Sequence, residues 1–197
     1  MKKLNLILAI LAIFASAAVT ANQSEQAKEP YYNPVELIQS AIIKLNQLTS
    51  AVTYSPAVVN DLVEQEIAPL FDFNHIAAEV LWVLNVDLNK AQMQTFADKL
   101  KADIMATLLA KLSQANSTSI NFISARPLIN SSIAVKLRVG NYSPFGIFID
   151  LLFHQNSTGT WQIFDVVLNN DSLINYYQKR VLIQARRHGI YKVLGKI

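Results

Sequence analysis

The chain has 197 residues, of which 52% are hydrophobic and 16% charged, with 17 Lys or Arg set against 14 Asp or Glu. It has no cysteine, which excludes disulfides, thiol catalysis, cysteine-ligated metal sites and a lipid-modified N-terminal cysteine. A formal net charge of +3 gives no argument for nucleic acid as a partner.

Lys2 and Lys3 precede an apolar run from Leu4 to Phe14 that only Asn5 interrupts. Small residues follow, with cleavage boxes at Ala15-Ser16-Ala17 and Val19-Thr20-Ala21. A basic start, a short apolar stretch and a small-residue box make the pattern of a secretory signal peptide. The stretch falls short of the roughly 20 apolar residues that span a bilayer. Residues 1–21 are therefore expected to direct export and be cleaved, leaving 176 of the 197 residues and lowering the net charge from +3 to +1. Residues 22–33 are polar and read as a flexible segment, and 34–197 as a single domain large enough for a substantial core.

Helical spacing begins at Pro34, with Val35, Ile38, Ile42, Leu45 and Leu48 on one face. Ser55-Pro56 reads as an N-cap followed by proline at the first helical position. A second helix then carries Val59, Leu62, Val63, Ile67 and Leu70, with Pro69 near its end. Asp72-Phe73-Asn74 caps a short third helix bearing Ile76, Ala77, Val80, Leu81 and Leu84. Asn89 opens a longer fourth one through Met93, Phe96, Leu100, Ile104 and Leu108, ending near Ser113 to Ser119.

Strand character follows. Ile120 to Ala125 is a first strand, stopped by Arg126-Pro127, and Ile133 to Val139 alternates as a second. After turn residues Asn141 to Gly146, Ile147, Ile149, Leu151 and Phe153 make one fully apolar strand face. Asn156-Ser157-Thr158-Gly159 reads as a hairpin loop and Trp161 to Leu168 as the returning strand. A last long helix carries Leu173, Ile174, Tyr177 and Val181, and Gly189 breaks it before a short final one. Helices, an antiparallel meander and closing helices together predict an α+β fold, with N-terminal amphipathic and C-terminal helices packed on a curved sheet.

Charge is segregated along this order. From Leu45 to Asn89 there are six acids and no base, whereas from Ser172 to Ile197 there are six bases and no acid. Lys179, Arg180, Arg186 and Arg187 fall as two pairs seven residues apart, about two helical turns, which returns them to one side of the helix with Tyr177 and Val181 inward. They read either as a solvated face or as a stripe that docks on partners or anionic headgroups.

The apolar sheet face must be covered, and helices that stand off it would leave an apolar cavity. The candidate lining residues are Val80, Leu81, Trp82 and Leu84 of the third helix with Ile104 and Leu108 of the fourth. On the strands they are Val135, Leu137, Val139, Ile147, Ile149, Leu151, Phe153, Phe164 and Val166. A lined cavity and a filled core share this periodicity, and close packing is the rule in protein interiors.

Two stretches carry a family resemblance. The first runs Val63-Glu64-Gln65-Glu66-Ile67-Ala68-Pro69, Phe71-Asp72-Phe73-Asn74-His75-Ile76-Ala77 and Val80-Leu81, with Gln92 and Phe96 beyond. The second is Trp161-Gln162-Ile163-Phe164-Asp165-Val166, then Ser172-Leu173-Ile174 and Tyr176-Tyr177. In order and spacing, from about Pro34 to Leu194, the chain resembles the MlaC, or toluene-tolerance auxiliary, family of periplasmic phospholipid-binding proteins. The resemblance implies a phospholipid carried as cargo, its tails between helices and sheet and its headgroup outside. It implies shuttling between an inner-membrane ABC transporter complex and an outer-membrane lipoprotein complex, and it requires no catalytic residue, cofactor or metal. The chain departs from the family at Trp82, where glycine is usual after Val-Leu, and at Asn169-Asn170, where Glu-Gly is usual. Asparagine tolerates positive φ, so Asn170 can keep the turn, whereas an indole at position 82 either needs no glycine backbone or reshapes the cavity.

Two other classes compete. A small α+β enzyme would use a carboxylate in an apolar pocket. Asp150 lies on the strand face opposite the apolar one, whereas Asp165 shares the parity of Trp161 and Ile163 and is the better suspect. A periplasmic adaptor that binds proteins only would fit the charge segregation equally. His75, His154 and His188 have no ligand spacing, and there is no phosphate-binding glycine loop or serine elbow.

Overall fold

The computed structural model describes residues 33–49, 56–114, 120–140, 147–168 and 170–193. The expected signal peptide, the segment 22–33 except its last residue, the turn 141–146 and the residues Ser55 and Asn169 lie outside them. Helix α1 (Pro34–Thr49) starts where Pro34 needs no donor and the Asn33 side chain accepts from the Val35 N–H at 2.9 Å. Helix α2 (Pro56–Leu62) widens into a π turn at Val63–Ile67 and tightens into a 3-10 turn at Ala68–Leu70. Pro69 has no N–H to return to Gln65, and its ring crowds that carbonyl, so an α ladder cannot run through.

Asp72 caps α3 (Phe73–Trp82), accepting from the His75 N–H at 2.9 Å. Asn89 and Gln92 form a reciprocal capping box at the start of α4 (Lys90–Gln114), with bonds of 2.9 and 3.1 Å. Strands β1 (Ile120–Pro127), β2 (Ile133–Val139), β3 (Ile147–Gln155), β4 (Trp161–Leu168) and the two-residue β5 (Asp171–Ser172) form a five-stranded antiparallel sheet in sequential order. Asn170 takes φ 69° ahead of β5, the left-handed conformation its short polar side chain tolerates. Helix α5 (Leu173–His188) ends where Gly189, at φ 81°, donates to the Ala185 carbonyl, and α6 (Ile190–Val193) follows.

The fold is thus α+β, in the order that the hydrophobic pattern predicts. Bulges interrupt the ladder twice, between Phe122 and Ser124 on β1 and at Phe164 on β4. Each inserts a residue without a partner and bends its strand. Two apolar cores result. One lies among α2, α3, α4, α5 and α6 around Val63, Ile76, Val80, Phe96, Leu100, Tyr177 and Val181. The other lies between α1 and one face of the sheet, where Ile38 and Ile42 meet Val135, Leu137, Leu151, Phe153 and Ile163. Phe71 packs against both, and its strand-like bridge to Ile163 joins the helical layer to β4.

Candidate functional site

The candidate lining residues divide between these two cores. Val80, Leu81 and Ile104 are buried in the helical core, with Leu84 and Leu108 packed against it. Leu137, Leu151, Phe153 and Val135 are buried on the sheet face, and Ile149 and Val166 pack against them. The ladder register confirms one common face, pairing Val135 with Leu151, Leu137 with Ile149 and Leu151 with Val166. Val139 is buried at the far end of the same ladder, opposite the half-buried Ile147. Phe122 and Ile163 share the face, and Ile38, Ile42, Leu70 and Phe71 are among the residues packed on it. Sequence reasoning left them out because periodicity identifies an apolar helix face without saying which surface it covers.

Two residues sit elsewhere. Trp82 ends α3 with 78% of its surface exposed and joins neither core, so the indole does not reshape the sheet face. Phe164 is the extra residue of the β4 bulge, since the register passes from Leu152↔Asp165 to Phe153↔Ile163. The bulge keeps Ile163 and Val166 on the apolar face and sends Phe164 to the opposite side of the sheet. There it lines an open cleft of about 670 Å³ with His75, His154, Gln155 and the turn 128–132.

In that cleft the His75 and His154 rings lie 4.6 Å apart, and Phe164 packs against both at 5.8 and 5.2 Å. His154 Nε2 lies 3.1 Å from Asp72 Oδ2, the carboxylate whose other oxygen caps α3. This contact fastens β3 to the start of α3. Among the described residues, neither histidine ring is hydrogen-bonded to a hydroxyl. No group of three or more His, Asp or Glu among the described residues is placed to hold a metal ion.

The same bulge corrects the reading of Asp165. Its parity changes at Phe164, so it faces away from the apolar face, opposite Leu152. The carboxylate is buried, at 6% exposure, and fully occupied. It accepts from the Ser172 hydroxyl at 2.6 Å, its neighbour Val166 N–H at 2.8 Å and the Ile174 N–H at 3.2 Å. Ser172 in turn caps α5 by accepting from the Asn175 N–H at 3.2 Å. Asp165 thus anchors the start of α5 to β4. Asp150 lies on that same side of the sheet, 3.7 Å from Lys136 across the ladder.

Charge on the helices is partly spent on packing. Glu64 and Glu66 of the acidic stretch are met by Lys101, at 3.4 Å, and by Lys44 of α1. On α5, Arg180 Nη1 donates to Asp103 Oδ2 at 2.9 Å, and the Tyr177 hydroxyl donates to the same oxygen at 2.6 Å. The Arg180 guanidinium also lies 5.6 and 5.3 Å from the rings of Tyr176 and Tyr177. Burial, reinforced by the Asp103 carboxylate, pushes the Tyr177 hydroxyl well above the ordinary tyrosine range. Burial works against the Arg180 charge, but Asp103 outweighs it and holds the guanidinium above its ordinary value. Arg180 is thus tied to Asp103 of α4 while its side chain stays partly exposed, at 39%. Lys179, Arg186 and Arg187 remain exposed, with no ion-pair partner among the described residues.

A sequence profile of the family described as MlaC protein matches residues 36–197. Among solved structures, the fold is similar to that of a phospholipid-binding protein from Ralstonia solanacearum determined in complex with a phospholipid. The TM-score is 0.62 and the identity 17%, covering 81% of this chain and 89% of that one, so the likeness is one of fold.

Proposed function

Because the chain belongs to the MlaC family, we propose that it binds a glycerophospholipid and carries it across the periplasm, between an inner-membrane ABC transporter complex and an outer-membrane lipoprotein complex. The observation that carries this reading is the apolar sheet face that, among the described residues, lies under α1, with Leu70 and Phe71 packed beside it. Acyl tails occupy that face when α1 lifts from it, and the headgroup stays at the rim. That a protein of similar fold was determined in complex with a phospholipid supports the binding of phospholipid.

The energetics favour the exchange. An apolar side chain is worth about 1.5–3 kcal/mol of burial and an acyl methylene about 0.8 kcal/mol. Among the described residues, lifting α1 forfeits the burial of Pro34, Ile38 and part of Ile42, and loosens an exposed Lys44–Glu66 ion pair of little net worth. Two tails of about 16 carbons return of order 20 kcal/mol gross before ordering costs. Cargo and helix thus compete for one surface, and the face stays covered in either state. No catalytic group is needed for this work, and no described helix is long and apolar enough to cross a membrane. The export signal read at residues 1–21 and the periplasmic setting of the family both support a carrier that works between two membranes.

The transport step is tested by reconstitution. Protein loaded with a fluorescent phospholipid is expected to deliver it to vesicles holding either membrane complex at least about tenfold faster than to vesicles without one. Equal rates to all vesicles would reduce the proposal to lipid binding alone.

A further inference from the structure

The outward face of α5 sets cations beside exposed apolar groups, of which Tyr176 also packs edge-to-face on Tyr177 and beneath Arg180. At 100° per residue, Arg186, Lys179, Ile183, Tyr176 and Arg187 fall within roughly 100° of arc. Tyr177 and Val181, each 2% exposed, lie on the opposite side and anchor the helix in the core. On the outward arc, Tyr176 is 53% and Ile183 47% exposed, and the three bases are exposed as well. No acidic residue occurs from Ser172 to Ile197, and Arg180, at the edge of the arc, already neutralises Asp103.

From this face we infer a docking surface for an anionic lipid bilayer. Three cations around a tyrosine and an isoleucine match what a negatively charged interface offers. Phosphates and glycerol groups take the charges, while the ring and the aliphatic side chain enter the boundary between headgroups and tails. An acidic protein patch answers the cations, whereas Tyr176 and Ile183 beside them suit the boundary between headgroups and tails. The helix presents this arc outward because its opposite side is buried at Tyr177 and Val181. Docking concerns the bilayer as a surface and so stands apart from cargo binding at the sheet face beneath α1.

The test is co-sedimentation of the full mature chain with vesicles of phosphatidylethanolamine and phosphatidylglycerol in a 7:3 ratio, compared with pure phosphatidylcholine vesicles. Binding is expected to the anionic vesicles only and to fall steeply as salt rises. Lys179→Glu/Arg186→Glu/Arg187→Glu is expected to weaken it at least about 100-fold, at roughly a factor of five or more for each charge removed. Ile183→Ser with Tyr176→Ser is expected to weaken it about tenfold or more at fixed charge. Unaltered binding in the charge-reversed variant would overturn the inference, as would absence of wild-type sedimentation at low salt. Loss in the charge variant without loss in the apolar one would also overturn it, pointing to an acidic protein surface instead. Lipid extracted from the same preparations separates the two readings. A chain that holds phospholipid but ignores vesicles is a carrier without this surface, and a chain that sediments while holding none has the surface but is not a carrier.

Discussion

A covalent tether between α1 and β1 is expected to abolish phospholipid uptake. The chain has no cysteine, so Ile42→Cys with Phe122→Cys supplies the only two thiols. Both side chains belong to the cluster between α1 and the sheet. A short cleavable thiol-reactive linker then holds the helix on the apolar face. Truncating two partly buried apolar residues itself costs of order 1–3 kcal/mol each, so the comparison is made within the double variant, before and after linking. If tails and α1 compete for the face, linked protein takes up less than about a tenth of the fluorescent phospholipid bound by the unlinked form, since only the lifted state is competent. Cleaving the linker restores uptake. Undiminished uptake by linked protein would move the lipid away from the sheet face, and the best remaining site would then be among the helices.

Asp165→Ala is expected to be among the most destabilising substitutions outside the apolar cores. It strands the Ser172 hydroxyl and the Val166 and Ile174 N–H groups, all of which the carboxylate now accepts. An unpaired buried donor costs about 1–3 kcal/mol, which places the total at about 3–5 kcal/mol after partial relaxation. For a domain of this size that corresponds to a fall of about 10 °C in Tm. Asp165→Asn keeps one acceptor oxygen and should cost about 1–2 kcal/mol. Thermal unfolding followed by circular dichroism measures both. A Tm for Asp165→Ala within about 2 °C of wild type would remove the anchoring role. A pH-dependent hydrolase or isomerase activity that disappears in Asp165→Asn would return the residue to catalysis.

The pattern of Asp165 shows where the sequence stops being legible. Alternation along β2 and β3 identifies Val135, Leu137, Leu151 and Phe153 as one face, and the ladder pairs them on it. Alternation along β4 fails, because one extra residue at Phe164 reverses every orientation beyond it. Nothing in Trp161 to Leu168 marks the bulge: no glycine or proline interrupts the run. One slip therefore misplaced both Asp165 and Phe164. Helix boundaries were legible where a side chain caps them, at Asp72, Asn89 and Ser172. Pro69 marks the end of the second helix, but the π turn over Val63–Ile67 interrupts the α-helical run that the apolar spacing suggested up to Leu70. Which helix covers the sheet was not legible, because α1 and α2 present similar apolar faces and only tertiary packing separates their partners. The basic stripe was readable as a periodicity, but not that Arg180 within it pairs with Asp103, a residue 77 positions earlier. Long-range pairs of that kind have no local signature.

The carrier reading rests on cargo held by the folded chain, and native mass spectrometry of the protein purified gently from the periplasm measures that directly. The account predicts a dominant species heavier than the mature chain by one glycerophospholipid, in near-stoichiometric amount, which collisional activation strips to yield the bare chain and a released lipid ion. A spectrum showing only the bare chain, with lipid at trace level under the same mild conditions, would contradict it.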